Sequence, residues 1–325
     1  MKYYLSIDAG TSVIKTVIFS QEFKIKFKSS IENKVQTDPK GKSEINMNSF
    51  WSLTSKLIKS SIKKSKIKNL DIIGVGITGN MVGVWPVNTK GKSVRNAILW
   101  NDARSKEIFD KIQINNPKIY QNIFDLTGSI VQFGCTIPVI KWLEKNEPQI
   151  IKKTDYFLTC KDWIRLNLTN EFNNDHTERA VAPGDIKKAD LSLKIFNLLK
   201  LNKKYLSKFP QIKKSQDIAG HITSRAARET GLLNGTPVII GLGDVPAAAI
   251  GVGAIYNNQT STIIGTTCHN YLVSSKPIFF PKNSGLLFYS PNNQWLRTMI
   301  NVAGTTNLDW IIKNFFKEQL RYKSK

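Results

Sequence analysis

Apolar and polar residues alternate in two short runs near the start of the chain, at 3–8 and 13–19, on either side of the turn "DAGTS". A period of two is typical of a half-buried strand, so the runs and their glycine-containing turn predict an N-terminal β-hairpin. The stretch 260–274 has the same outline, with "IGTT" at its turn. Two such hairpins about 250 residues apart suggest a duplicated fold, with one copy in each of two domains.

Strand and helix patterns alternate between the hairpins. Apolar residues at helical spacing predict an amphipathic helix over about 47–66, and the apolar run at 71–79 predicts a buried strand. Helices are also expected over 137–150 and 161–168. A further strand at 235–241 leads to a helix that Pro246 helps to start, with Asp244 or Val245 as its N-cap. The 325 residues exceed one typical core, so an α/β fold with two domains is expected.

Composition excludes several classes of protein. Hydrophobic residues make up 41% of the chain, and no apolar run approaches the ~18 residues that a membrane span needs. The start passes directly into a strand pattern without a signal-peptide pattern. The three cysteines and three histidines lack metal-ligand spacing, which argues against disulfides and zinc. A cytoplasmic enzyme without a membrane partner or a protein-bound transition metal is therefore expected.

The net charge of +23 raises the alternative of a nucleic-acid-binding protein. Most of the excess is lysine, spread over predicted surface helices such as 59–68 and 201–214. Nucleic-acid surfaces more often use arginine and interleaved aromatic residues. The pattern favours a solvated surface with no nucleic-acid partner, and only a contiguous basic face would favour the alternative.

Three glycine-containing stretches carry the candidate chemistry: "IDAGTSVIK" at 7–15, "GLGDVPAAAIGVGA" at 241–254 and "IIGTTCHNYLV" at 263–273. Small residues at a turn let backbone N–H groups approach phosphate oxygens. Asp8 and Asp244 beside these turns suit a magnesium ion or the orientation of a hydroxyl nucleophile. The plainer alternatives are a hairpin-turn aspartate for Asp8 and a helix cap for Asp244. Together the stretches predict a phosphate-transfer site between two domains.

With "AILWNDARS" at 97–105 and "KDWIRLNLTNEF" at 161–172, these stretches resemble the FGGY-type carbohydrate kinases, xylulokinase-like and glycerol kinase-like, over essentially the whole chain. The resemblance implies an actin-like ATPase (ribonuclease H-like) α/β fold, with a complete first domain at 1–245 and the beginning of a second at 246–325. It implies ATP-dependent phosphorylation of a sugar or polyol hydroxyl, most naturally of a pentulose, with ATP and Mg²⁺ as cofactors.

The resemblance also assigns roles to individual residues. Asp244 would be the catalytic base, although the ordinary pKa of an aspartate, ~3.9, would make it a weak one that mainly positions the hydroxyl. Asp8 would hold the metal. The residues that would contact the nucleotide phosphates are Gly10, Thr11, Ser12, Lys15, Gly265, Thr266 and Thr267.

On the substrate side, the resemblance points to the loop "GNMVGVW" at 79–85 and to the motif at 97–105. Related pentulose kinases carry a Gly-Gln-Met-His-Gly-like loop, so Asn80 and Val82 depart from an ordinary xylulose pocket. Trp100 would give the sugar an apolar wall, with core packing as the alternative. Arg104 could equally pair with Asp102 or a neighbouring carboxylate for structural reasons, and Gln132 and Phe133 are weaker candidates for a sugar contact. The predicted substrate contacts are Asn80, Met81, Trp100, Asn101, Asp102 and Arg104.

Members of the family normally continue well past residue 325, so the adenosine pocket is expected to lie outside this sequence. The apolar surfaces of 257–325 would then need a cover, from a second copy of the chain or from a missing C-terminal half. The alternative function is a catalytically dead or partner-dependent sugar-binding remnant. The sequence does not identify the sugar.

Overall fold

The opening hairpin forms where the alternation predicts it and starts the central sheet. In the computed structural model, which describes residues 1–264, 268–301 and 303–316, the strand Tyr3–Ala9 pairs antiparallel with Val13–Ser20. Asp8 lies opposite Lys15, next to the turn. Leu5 and Ile7 are fully buried on the alternating inner face. The predicted hairpin is confirmed.

The secondary-structure elements follow one another in the expected α/β alternation. The strands are β1 (Tyr3–Ala9), β2 (Val13–Ser20), β3 (Ile25–Glu32), β4 (Gln36–Thr37), β5 (Ser43–Ile45), β6 (Ile72–Gly79), β7 (Trp85–Val87), β8 (Ala97–Ile98), β9 (Tyr156–Leu158), β10 (Asn173–Asp175), β11 (Gln211–Lys213), β12 (Ile218–His221), β13 (Pro237–Ile239), β14 (Leu242–Gly243), β15 (Thr260–Ile264), β16 (Cys268–Ser274), β17 (Leu286–Ser290) and β18 (Gln294–Asn301). The α-helices are α1 (Met47–Ser65), α2 (Lys106–Asn115), α3 (Ile119–Thr127), α4 (Thr136–Asn146), α5 (Pro148–Lys153), α6 (Cys160–Thr169), α7 (His176–Val181), α8 (Leu193–Leu198), α9 (Ser224–Thr230), α10 (Asp244–Gly251) and α11 (Thr305–Phe315).

The central sheet has seven strands in the order β12, β13, β6, β1, β2, β3, with β14 also paired to β6. β1, β13 and β14 all run parallel to β6. In this register Ala9 lies opposite Gly79, and Gly79 lies opposite Gly243. The carboxyl ends of β1, β6 and β14 therefore meet at one edge of the sheet.

Helix α1 covers one face of this sheet and begins at a side-chain cap. Asn46 Oδ1 accepts the backbone N–H of Ser49 at 2.9 Å, which satisfies one of the free donors of the first turn. The helix ends at Ser65 and is followed by a left-handed residue, Lys66. Phe50 is fully buried, with its ring edge-on to Trp85 at 5.2 Å. The predicted helix at 47–66 is confirmed and anchors the core of the first sheet.

The second predicted hairpin also forms, in a separate sheet of four strands. β15 and β16 pair antiparallel, and the sheet order is β15, β16, β18, β17. Three residues of this sheet, Tyr271, Val273 and Phe288, are buried in an apolar cluster. The cluster also contains Met81, from the loop that follows β6 in the first sheet. The two sheets thus share apolar packing beside the edge where β6 ends. The domain limits 1–245 and 246–325 stay a prediction.

Two local predictions were wrong. The helix expected over 137–150 is two helices, α4 and α5, because Pro148 lacks the N–H that would continue the first one. The N-cap of α10 is Gly243, and Asp244 is already its first helical residue. No helix within the described ranges is long and apolar enough to cross a membrane.

Candidate active site

The candidate site lies where three parallel strands end side by side. Asp8 is the second-to-last residue of β1, Asn80 and Met81 follow β6, and Asp244 follows β14. Open α/β sheets generally bind ligands outside the carboxyl ends of their strands. A side chain on Gly79, between the two aspartate-bearing strands, would come within 3.1 Å of Ala9 Cβ. The glycine therefore allows the two strand ends to approach.

Asp244 is a partly buried carboxyl group at the start of α10. Loss of solvent around the carboxylate, together with the nearby charge of Asp8, raises the pKa of Asp244 to about 7, against the opposing effect of backbone hydrogen bonds from Val245 and Asp244. The ordinary value expected from the sequence does not hold at this position. A carboxylate with a pKa near neutral is suited to accept a proton from a hydroxyl group.

The phosphate turn predicted at 10–12 is held by Asn33. The Asn33 side-chain amide donates to the Thr11 carbonyl at 2.9 Å, and its backbone N–H donates to the Ser12 carbonyl at 2.8 Å. Gly10 has no room for a side chain, since a Cβ there would lie 2.6 Å from the Val13 carbonyl oxygen. The turn is therefore tight and fixed by its neighbours.

Lys15 lies across the hairpin from Asp8, with its Nζ 3.2 Å from Asp8 Oδ2. Both side chains of the pair are partly exposed. A lysine at this position can form an ion pair with a phosphate group as well as with a carboxylate.

The carboxylates at this edge fit a magnesium ion that is shared with a nucleotide. Within the described ranges, no group of three or more His, Cys, Asp and Glu side chains could hold a metal ion by itself. Magnesium in phosphate-transfer sites uses one or two carboxylates and completes its shell with waters and phosphate oxygens. Asp8 matches that requirement, and Asp244 is close enough for the charge of Asp8 to raise its pKa.

A cavity of about 270 Å³ opens beside Asp244. It brings together three of the predicted site residues, Met81, Trp100 and Asp244, whereas most of its wall is apolar. Gln132, one of the two weaker candidates, also lines it. Among the described residues, its lining is Met81, Val82, Trp100, Gln132, Val181, Asp244, Val245, His269, Leu286, Phe288 and Ile300.

Trp100 is a wall of this cavity and not a core residue, with 46% of its surface exposed. Its Nε1 donates a hydrogen bond to Thr11 Oγ1 at 3.0 Å. The indole ring thus lines the cavity, while its polar edge contacts the predicted phosphate turn.

Asn80 and Asn101 contact protein groups around the site. Asn80 is buried, and both its backbone N–H and its side-chain amide donate to the Ala9 carbonyl at 3.0 Å. Asn101 is exposed, and its Oδ1 accepts the hydroxyl of Ser43 at 2.7 Å. Asn80 therefore joins the ends of β1 and β6, and the sugar contacts expected of both asparagines stay predictions.

Asp102 and Arg104 bind each other, which was the structural alternative for Arg104. Arg104 Nε lies 3.1 and 3.0 Å from the two carboxylate oxygens of Asp102, and its NH2 group also reaches Glu44 at 2.8 Å. Asp102 also accepts the backbone N–H of Ser43 at 2.8 Å. The Arg104 guanidinium stacks over Trp142 at 4.5 Å. A direct sugar contact from either residue would have to replace these bonds, and it stays a prediction.

The second phosphate turn, Gly265, Thr266 and Thr267, lies outside the described residues. Its contact with nucleotide phosphates stays a prediction.

Sequence reasoning missed two residues of α7, Thr177 and Glu178, whose side chains contact the loops that carry Asp244 and Met81. The available signal was the pattern Asp175-x-Thr177 at a helix start, because Asp175 accepts the Thr177 N–H at 2.9 Å as an N-cap. That pattern predicts a helix start but says nothing about which loops the helix contacts.

Comparison with known proteins agrees with the fold. The model for the N-terminal domain of the FGGY family of carbohydrate kinases matches residues 3–251. The probable L-xylulose kinase of Haemophilus influenzae is 27% identical over 320 residues, which cover 97% of this chain and 65% of that protein. The xylulose kinase of Bacillus subtilis is 28% identical over 322 residues, which cover 97% of this chain and 62% of that protein. The chain thus spans less than two thirds of these relatives.

Solved structures show the same architecture. The ligand-bound xylulose kinase of Lactobacillus acidophilus superposes with a TM-score of 0.87 at 20% identity, covering 98% of this chain and 64% of that one. The Plasmodium falciparum glycerol kinase with ADP gives a TM-score of 0.84 at 22% identity, covering 97% of this chain and 64% of that one. At this identity the likeness concerns the fold alone.

Proposed function

The chain belongs to the FGGY family of carbohydrate kinases, and from that premise we propose that it transfers the γ-phosphoryl group of ATP to a hydroxyl of a sugar or polyol. The observation that carries the proposal is Asp244: its pKa is raised to about 7, and it lines a cavity beside the phosphate turn. We place the reaction in the cytoplasm, where ATP is supplied.

The proposed chemistry assigns a separate task to each element of the site. The substrate hydroxyl lies in the cavity against Trp100, and Asp244 orients it and accepts its proton as the new oxygen–phosphorus bond forms. The bond between the γ-phosphorus and the ADP oxygen breaks in the same transfer. Backbone N–H groups of the turn at 10–12, with Lys15, hold the phosphates in line.

Asp8 is the residue that would hold Mg²⁺, with Asp244 nearby. When bound, the ion supplies positive charge that neutralises the transferring phosphoryl group. The Asp8 carboxylate pairs with Lys15 at 3.2 Å, next to the predicted phosphate turn. Asp8 is therefore proposed to act on the nucleotide side and Asp244 on the sugar side.

For the substrate, a pentulose is our first choice because several of the most similar relatives carry the name xylulose kinase. Met81 and Val82 make one wall of the cavity apolar, and Trp100 adds a flat ring. Apolar walls contact the C–H faces of a sugar, while Asp244 and Gln132 offer polar groups for its hydroxyls. The cavity therefore favours a small sugar or polyol with one hydroxyl directed at Asp244.

The test is sugar-dependent release of ADP by the purified chain with ATP and Mg²⁺, using D-xylulose, L-xylulose, glycerol and erythritol in turn. Wild-type protein is expected to release ADP with at least one of them. The variant Asp244→Asn is expected to lose most of that activity, whereas the surface variant Asp110→Asn, far along α2, keeps it. Release of ADP that does not depend on any sugar or polyol would contradict the proposal.

A further inference from the structure

Glu178, on the first turn of α7, holds the loop that follows β6. Its Oε2 accepts the backbone N–H of Val82 at 2.8 Å, and the side chain is almost fully buried. Val82 adopts φ 55, in the left-handed region. This conformation is rare for a β-branched residue and persists only where the surroundings hold it. Since Met81 and Val82 both line the cavity, Glu178 fixes one wall of the substrate site.

The preceding residue, Thr177, holds the loop that carries Asp244. The N–H of Gly243 donates to Thr177 Oγ1 at 3.0 Å, and the same hydroxyl lies 2.7 Å from Asp175 Oδ2. A carboxylate only accepts and a backbone N–H only donates. The single hydroxyl proton of Thr177 must therefore go to Asp175, which leaves a lone pair for Gly243. The direction of both hydrogen bonds is fixed.

Asp175, which caps this helical turn, is itself held by buried contacts. Its Oδ1 lies 2.7 Å from Lys161 Nζ, and both side chains are fully buried. Its Oδ2 also accepts the Ser215 hydroxyl at 3.1 Å. Buried charges held in this way are costly to displace, because any movement leaves one of them uncompensated. Thr177, which is hydrogen-bonded to Asp175, is consequently held in one position.

We infer that Thr177 and Glu178 are positioning residues for phosphoryl transfer: one helical turn fixes the loop of the base through Gly243 and the wall of the substrate cavity through Val82. The inference rests on the proposed function and adds to it two residues that touch no substrate. Their spacing is informative, because adjacent side chains of one short helix reach two loops that are about 160 residues apart in the sequence. The geometry between Asp244 and the cavity wall is thereby set by a single turn.

The first experiment measures amide hydrogen exchange of the full chain in the peptides that cover 79–85 and 240–246. Thr177→Val removes the hydroxyl but keeps the shape, and it is expected to accelerate exchange at Gly243 by about tenfold, the effect of losing one hydrogen bond, with Val82 unchanged. Glu178→Met should accelerate exchange at Val82 by about tenfold and leave Gly243 unchanged. The matched variants Thr177→Ser and Glu178→Gln keep an acceptor oxygen and should restore protection at the respective amide.

The second experiment separates positioning from simple stability through kinetics with D-xylulose or whichever of the tested sugars is turned over. Glu178→Met should raise KM severalfold with kcat nearly unchanged, because it loosens the substrate wall. Thr177→Val should lower kcat by about tenfold or more, because it loosens the loop that carries the proposed base, Asp244. Thr177→Ser and Glu178→Gln should recover most of each loss.

The outcomes distinguish this inference from the proposed function. Equal acceleration of both amides by both variants, or no acceleration by either, would overturn the inference even in an active kinase. If each variant accelerates exchange only at its own amide but the wild-type chain phosphorylates no sugar, the result would support the contacts that hold the two loops. It would at the same time reject the kinase activity.

Discussion

Trp100 Nε1 donates a hydrogen bond to Thr11 Oγ1 at 3.0 Å, so the indole that forms a wall of the cavity is joined directly to the predicted phosphate turn. One side chain thus contacts the sugar side and the nucleotide side of the candidate site. This bond uses the N–H at the edge of a ring that also lines the cavity.

Trp100→Phe should separate these two contacts. Phenylalanine keeps an aromatic face but has no N–H donor, so sugar affinity should change little while the apparent KM for ATP rises severalfold. Trp100→Ala should weaken both. Calorimetry with the sugar and steady-state kinetics with ATP measure the two effects. If Trp100→Phe weakens only sugar binding, the link to the phosphate turn has no functional role.

Asp8→Asn should act on the nucleotide side of the reaction. Asparagine keeps the size of the side chain but removes the charge that a magnesium ion needs. The magnesium concentration for half-maximal activity should rise by about tenfold or more, with sugar affinity retained. A magnesium titration of the wild type and the variant at saturating sugar gives the comparison. An unchanged titration would remove Asp8 from the metal site.

Lys161→Met should strongly destabilise the protein. Lys161 Nζ lies 2.9 Å from Asp162 and 2.7 Å from Asp175, with all three side chains fully buried. Removing the lysine leaves a buried negative charge uncompensated, at a cost of about 3–5 kcal/mol. Urea denaturation measures the loss.

The matched control for this prediction is Lys106→Met. Lys106 pairs with Asp110 at 2.7 Å on the exposed face of α2, where water already screens both charges. The denaturation midpoint of this variant should stay close to that of the wild type. A similar loss in both variants would show that burial of Lys161 is not the cause.

Glu178 should make stability depend on pH. Loss of solvent, together with the charges of Asp175 and Asp162, raises the pKa of this buried carboxyl from 4.5 to about 8, against the opposing effect of Lys161. The folded state therefore holds a proton that the unfolded state releases between these two values. The stability contributed by that proton is present below pH 4.5 and is lost as pH rises toward 8.

Glu178→Gln removes this titration. Relative to the wild type, the variant should gain up to ~1.4 kcal/mol of unfolding free energy per pH unit between about pH 5 and 8. Urea denaturation of both proteins at pH 5, 6.5 and 8 supplies the comparison. A stability difference that does not change with pH would mean that Glu178 titrates normally.

The sequence predicts the parts of the fold that depend on local pattern. Alternation located β1 and β2, and a helical stripe located α1 to within one residue of its observed end. The N-cap of α10 was wrong because Gly243, which no local rule favoured over Asp244, already has the extended conformation of a cap. Local pattern fixes the type of an element better than its first residue.

The candidate site was predictable only in part. Asp8 and Asp244 could be recognised because each stands beside a glycine turn, whereas Trp100 could not be distinguished from a core residue without its partner Thr11. Glu178 and Thr177 act through contacts with loops far away in the sequence, which no spacing rule shows. The raised pKa of Asp244 depends on burial and on Asp8, and both arise only from the tertiary structure.

The most direct test of the proposed kinase activity is sugar-dependent phosphorylation by the wild type and by Asp244→Asn, with sugar affinity measured in parallel by calorimetry. A general base typically contributes ~10²–10⁴-fold, so the variant should lose at least about a hundredfold in turnover while binding the sugar nearly as well. Turnover near the wild-type value in Asp244→Asn would contradict the assignment of the base. Sugar binding by a wild-type chain that transfers no phosphate would contradict the proposed activity itself and favour a sugar-binding remnant.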